Sequence, residues 1–212
     1  MTQVERLQIP QVQAAPAAQV APAGDPAMLG LPTFIVGAVA LGLTLTGYVS
    51  AASQGAAIPI ILFSTGIGLI AATGWAARLA QSAVVAVFGI FSGFWLSYAF
   101  LLLGLGHNWY GVAPKDVTHT VALFLISWMV IIGALGLATL ALPWTYTLLF
   151  AFVELALALV LAGALHPSST LTHLGGYSVF AFAAVGLYMF FGACRAATGG
   201  SALPLGRPVF KN

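Results

Sequence analysis

The sequence predicts an all-α integral membrane protein, six transmembrane helices in a bundle, and three observations carry that reading. Hydrophobic residues make up 61% of the 212, while Asp, Glu, Lys and Arg together make up 5%; a water-soluble globule carries roughly 25% charged residues. Apolar stretches recur six times, each near the ~20 residues that a helix needs to cross about 30 Å of hydrocarbon. None of them alternates polar and apolar residues as a barrel strand does. Lipid offers no partner for backbone amides, so helices are the remaining solution.

The elements follow in order. Residues 1–25 are rich in Ala, Gln and Pro and hold no apolar run, so they are expected to form a disordered tail. The first apolar run begins near Met28 and is long, unlike the short core of a signal peptide. The spans are expected at Pro32–Ser50, Ala56–Ala77, Leu79–Gly104, Val117–Leu140, Trp144–Leu165 and Leu174–Cys194, within a membrane domain of residues 26–194. Residues 195–212, with their Gly-Gly and Pro-Leu-Gly turns, are expected as a second tail or a short cap. Cys194 has no internal partner for a disulfide and reads as a small residue at a helix end.

Orientation comes from the few cations, because Lys and Arg near span ends favour the cytoplasm. Six spans place both termini on one side, together with Arg6, Arg78, Arg195, Arg207 and Lys211; the other side holds Lys115. Both termini are therefore expected in the cytoplasm. Inside the spans, Gly37, Gly42, Gly47, Gly66, Gly68, Gly74, Gly186 and Gly192 allow close backbone approach, which drives helix association in lipid. Phe88, Phe91, Phe94, Trp95 and Tyr98 give the third span a large aromatic surface, suited to packing or to lining a narrow pathway.

Glu154 is the one acid inside an expected span. A charge at the bilayer centre costs on the order of 2.5–3.5 kcal/mol on insertion scales, so its carboxyl is expected to face the bundle interior or a subunit interface. It reads either as a proton-linked group or as a structural hydrogen-bonding one. His107, His119, His166 and His173 fall at or near the third and fifth links, badly placed for axial haem ligation and better suited to sensing external pH or simply to solvation. No phosphate-cradling loop and no His/Cys cluster with metal spacing is present. Neither a metal nor a cofactor is expected, nor a nucleic acid partner, nor enzymatic activity; the lipid bilayer is the expected surrounding.

Four motifs carry a family resemblance. Asp25-Pro26-Ala27-Met28-Leu29-Gly30-Leu31 resembles the Asn-Pro-Ala-Pro-Leu-Gly-Leu signature of the acetate uptake transporters, the succinate–acetate permeases, in five of its seven positions. Phe91-Ser92-Gly93-Phe94-Trp95-Leu96 is similar to that family's Tyr-Gly-Ser-Phe-Trp-Leu segment, while Gly175-Gly176-Tyr177 and Leu203-Pro204-Leu205-Gly206 are similar to family endings.

The resemblance implies one pathway per protomer, assembly as a homo-hexamer, and movement of acetate, other small monocarboxylates or succinate across the inner membrane. It also implies both channel and proton-symport behaviour. It places a three-residue constriction on Phe34, Phe91 and Val153, with Phe91 standing where the family has Tyr and Glu154 where it has a small hydroxylic residue. The signature residues Asp25, Pro26, Ala27, Leu29, Gly30 and Leu31 become a substrate-binding motif. The same residues also suit a plain helix start, with Asp25 as cap and Pro26 in the first turn, and free amides there would favour a docked anion. Two other functions fit six Gly-rich spans: a urea or short-amide channel, and a non-transporting membrane scaffold.

Overall fold

A computed structural model describes residues 24–210 of the chain. Six helices dominate: α1 (Ala27–Leu45), α2 (Gly68–Arg78), α3 (Ser82–Gly106), α4 (Val117–Ala138), α5 (Trp144–Leu165) and α6 (Ser169–Ala197). With their flanking turns they supply six helices long and apolar enough to cross a membrane. The expected tail at residues 1–25 lies almost wholly outside the described residues; its final residue, Asp25, is described and belongs to the site below.

Several boundaries differ from the sequence expectation; the third span begins at Ser82 rather than Leu79, after a turn, and the first, sixth and second differ as follows. The first span runs over Ala27–Leu45, so Pro32 lies inside α1 rather than at its start. The sixth begins at Ser169, where the Ser168 hydroxyl accepts from the Leu171 amide at 3.3 Å and caps the helix. His173, Gly175 and Gly176 therefore sit within α6, not at its opening. The second span is composite: a 3₁₀ turn (Ala51–Ala57) leads into a π-helical segment (Ile60–Ile67) that continues as α2. Pro59 precedes the wide turns and lacks an amide donor. Within them, the Gly66 carbonyl accepts the Ser92 hydroxyl of α3 at 3.0 Å.

The helices pack in chain order and α6 returns to α1, closing a ring around a central axis. Close approach is built on glycine, as small residues allow in lipid. Gly37 lies against Thr65, Gly30 against the Phe88 ring, and Gly176 against Thr46, whose Cγ2 would stand 2.7 Å from an added Cβ. Ser178 adds a polar tie by donating to the Phe152 carbonyl at 2.8 Å, joining α6 to α5. The α3–α4 seam is the loosest, and rings fill it: Phe94 and Tyr98 of α3 meet Phe124 of α4 at 5.5 and 5.8 Å, and Phe94 meets Trp128 at 5.7 Å. Outward, Leu123, Val130 and Leu137, spaced seven residues apart, form a stripe on α4, each about 70% exposed, as suits a lipid-facing surface.

The segment after α6 is a cap that packs on the bundle. Thr145 donates its hydroxyl to the Leu205 carbonyl at 2.6 Å, Tyr188 donates to the Pro204 carbonyl at 2.8 Å, and the Trp144 amide donates to the Arg207 carbonyl at 3.0 Å. Gly206 takes φ +87°, beside the Trp144 indole, a backbone conformation and a proximity that suit glycine.

Candidate functional site: the pathway through the bundle

Two cavities lie on the bundle axis. The larger, about 580 Å³, is built from the start of α1 (Asp25, Ala27, Leu31), the start of α3, the α4–α5 link, the end of α6 and the cap residues Leu203 and Leu205. All of these belong to the face that carries both described ends of the chain. The smaller, about 50 Å³, lies in the opposite half among the end of α1 (Leu41, Leu45), Trp95 and Tyr98 of α3, Phe124 of α4, Val160 of α5 and Val179 of α6. Among the described residues, Phe34 and Phe91 alone border both cavities.

Those two phenylalanines are the centre of an aromatic partition. Phe34 of α1 lies 5.0 Å from Phe91 of α3 and 5.5 Å from Phe182 of α6, and Phe91 lies 5.7 Å from Phe150 of α5. Each of the four is at most 7% exposed. Four helices thus each contribute a ring. Such pairs prefer tilted or edge-to-face geometry, and these adopt it. Val153, the third residue of the expected constriction, faces the small cavity only. Phe34, Phe91 and Val153 thus share the lining of the small cavity.

Phe150 and Phe182 belong to none of the four motifs. Phe150 precedes Val153 by three residues, which puts both on one face of α5. Phe182 belongs to the buried face Val179, Phe182, Ala183 and Gly186 of α6, whose helical spacing is the signal that finds it.

The signature residues divide. Asp25, Ala27 and Leu31 line the large cavity, whereas Pro26 is buried, Leu29 packs against the hydrophobic core and Gly30 abuts Phe88. The start of α1 offers no spare donors. A carboxylate oxygen of Asp25, Oδ1, accepts from the Ala27 amide at 2.9 Å, the Asp25 carbonyl from Met28 at 3.0 Å, and the Pro26 carbonyl from Leu29 and Gly30 at 3.1 and 2.9 Å. The expectation of free amides awaiting an anion is therefore corrected: the chain's own carboxylate and carbonyls already hold them.

Glu154 follows Val153 on α5 but turns toward α4. Its carboxyl oxygens would stand 3.6 and 4.0 Å from a Cβ added to Gly133, and Oε1 is buried without a hydrogen-bond partner. It lines neither cavity. His107, His119, His166 and His173 are exposed, away from both. No metal-binding cluster exists among the described residues.

Comparison with known proteins places this architecture. The model of the GPR1/FUN34/yaaH family matches residues 8–201. The chain belongs to the GPR1/FUN34/yaaH family. This is the acetate uptake transporter family whose motifs the sequence resembles, and its members are transporters and channels. Among solved structures, the GPR1/FUN34/yaaH chain is similar to one titled "Structure of the bacterial acetate channel SatP", with a TM-score of 0.75 and 22% identity over 86% of this chain and 99% of that one. At that identity the likeness establishes the shared six-helix fold. No curated protein matches the chain.

Proposed function

We propose that this GPR1/FUN34/yaaH protein carries acetate and related small monocarboxylates, with succinate as a larger candidate, across the inner membrane. The route is channel-like or proton-coupled, and the protomers assemble as a homo-hexamer with both termini in the cytoplasm. Family membership supports transport in general. The observation that carries this reading is the Phe34–Phe91 contact standing between a roomy cavity and a small apolar one.

An apolar constriction gates by excluding water, so a solute passes when it sheds hydration cheaply. A bare charge is costly in such surroundings; a small, neutralised acid is not. Residues Phe34, Phe91 and Val153 form the narrow point, and Leu31 and Ala27 lead up to it. Glu154, outside both cavities, enters this reading only as an indirect proton-linked group acting through α5.

One observation favours a competing reading. Among the described residues, neither cavity is lined by Lys, Arg or His, and a urea or short-amide channel would need no such group. Proteoliposomes holding the purified protein separate the possibilities. Saturable uptake of labelled acetate, above that of empty liposomes and of labelled urea, supports the carboxylate reading. Urea permeation without acetate uptake identifies the amide channel, and movement of neither leaves a membrane scaffold.

A further inference from the structure

We propose that Asp25 is a charge-selectivity determinant of the large cavity, disfavouring carboxylate anions and admitting the neutral acid or another uncharged small solute. The inference rests on the transport reading above and specifies which form of the substrate it concerns.

Among the described residues, Asp25 is the only acidic or basic side chain in the lining of the 580 Å³ cavity. The remaining polar side chains in that lining are Tyr146 of α5 and Thr139 at the α4–α5 link. The start of α3 contributes Ala83, Val84 and Val87, and the cap contributes Leu203 and Leu205. Arg195 of α6 and Arg207 of the cap stand on elements that border the cavity but outside its lining, so among the described lining residues no cation faces the carboxylate.

The carboxylate, on an exposed residue, is oriented by one hydrogen bond. Its Oδ1 accepts from the Ala27 amide at 2.9 Å, and negative charge at a helix N-terminus is favoured by the macrodipole. This is the position where an incoming anion would otherwise gain most. The chain supplies its own anion there, so a substrate carboxylate meets repulsion without a compensating donor from the first turn of α1. A neutral solute meets neither effect. Beyond Asp25 the path reaches the Phe34–Phe91 contact, where an anion pays again for lost hydration. The two barriers act in series on the same species.

The test compares native protein with Asp25→Asn and Asp25→Ser in proteoliposomes at pH 7, measuring labelled acetate and labelled acetamide flux in the same preparations. Both substitutions keep an oxygen acceptor for the Ala27 amide and remove the charge. The acetate-to-acetamide flux ratio is expected to rise by about fivefold in both variants, the size of one like-charge repulsion at contact in water. The ratio cancels differences in folded protein between preparations. A ratio unchanged or lowered, with acetate flux still above that of empty liposomes, overturns the role of Asp25 while leaving carboxylate transport standing. Acetate flux equal to that of empty liposomes in all three proteins overturns both.

Discussion

The ring of Phe34 meets the ring of Phe91 at 5.0 Å between centroids and 67° between planes, an edge-to-face contact made by the two side chains that border both axial cavities. Truncating either one joins the cavities and removes the dry layer. Phe34→Ala and Phe91→Ala are expected to raise flux of small neutral solutes by about tenfold, equivalent to about 1.4 kcal/mol of barrier. Stopped-flow light scattering with urea in proteoliposomes reads this directly. Native-level flux in both variants would place the barrier elsewhere.

Phe91→Tyr adds a hydroxyl in the narrowest part of the path. A longer solute is hindered more than a short one, so the ratio of acetate to succinate uptake is expected to rise. Competition of unlabelled succinate against labelled acetate measures it. An unaltered ratio would remove Phe91 from the lining.

Glu154 packs against Gly133 with one oxygen buried and unpartnered, and an unsatisfied buried polar group costs about 1–3 kcal/mol. Glu154→Leu is expected to raise the melting temperature of the detergent-solubilised protein. With the side chain outside both cavities, its proton linkage runs through α5, and Glu154→Gln is expected to flatten the pH profile of uptake. An unchanged profile would remove Glu154 from the transport reading and leave it a structural group.

Gly37 of α1 faces the Thr65 side chain in the π-helical segment. Gly37→Val forces the two helices apart, and overpacking of this kind costs about 1–3 kcal/mol. A lowered melting temperature in size-exclusion thermostability assays is the expected result. Unchanged stability would mean that the α1–π contact is softer than its geometry indicates.

The cap depends on the 2.6 Å hydrogen bond from Thr145 to the Leu205 carbonyl. Thr145→Val removes a donor worth about 1 kcal/mol and is expected to speed cleavage of residues 201–207 by a broad-specificity protease added on that side of the membrane. Equal cleavage rates would show that the Tyr188 and Trp144 bonds suffice.

Much of this architecture is legible in the residues because lipid imposes a simple rule: span length and the absence of charge decide the helices. All six spans follow from that rule. Other features depend on contacts made across the fold. The π-helical turns at Ile60–Ile67 have no period that a sequence displays, and they matter through Gly37 and Ser92, which lie on other helices. Asp25 reads equally as a cap or as an anion dock until its Oδ1 is seen on the Ala27 amide. The direction in which Glu154 turns is set by Gly133, twenty-one positions earlier.

Leu203 and Leu205 belong to the wall of the large cavity, yet they follow every helix in the chain. A polypeptide emerging from the ribosome therefore inserts all six spans before that wall is whole. The vestibule is completed by a short segment held on Thr145 and Tyr188, so this part of its wall rests on polar contacts rather than on a membrane span. A reporter fused directly behind this segment would hang at the rim of the vestibule, and its linker length would itself become an experimental variable.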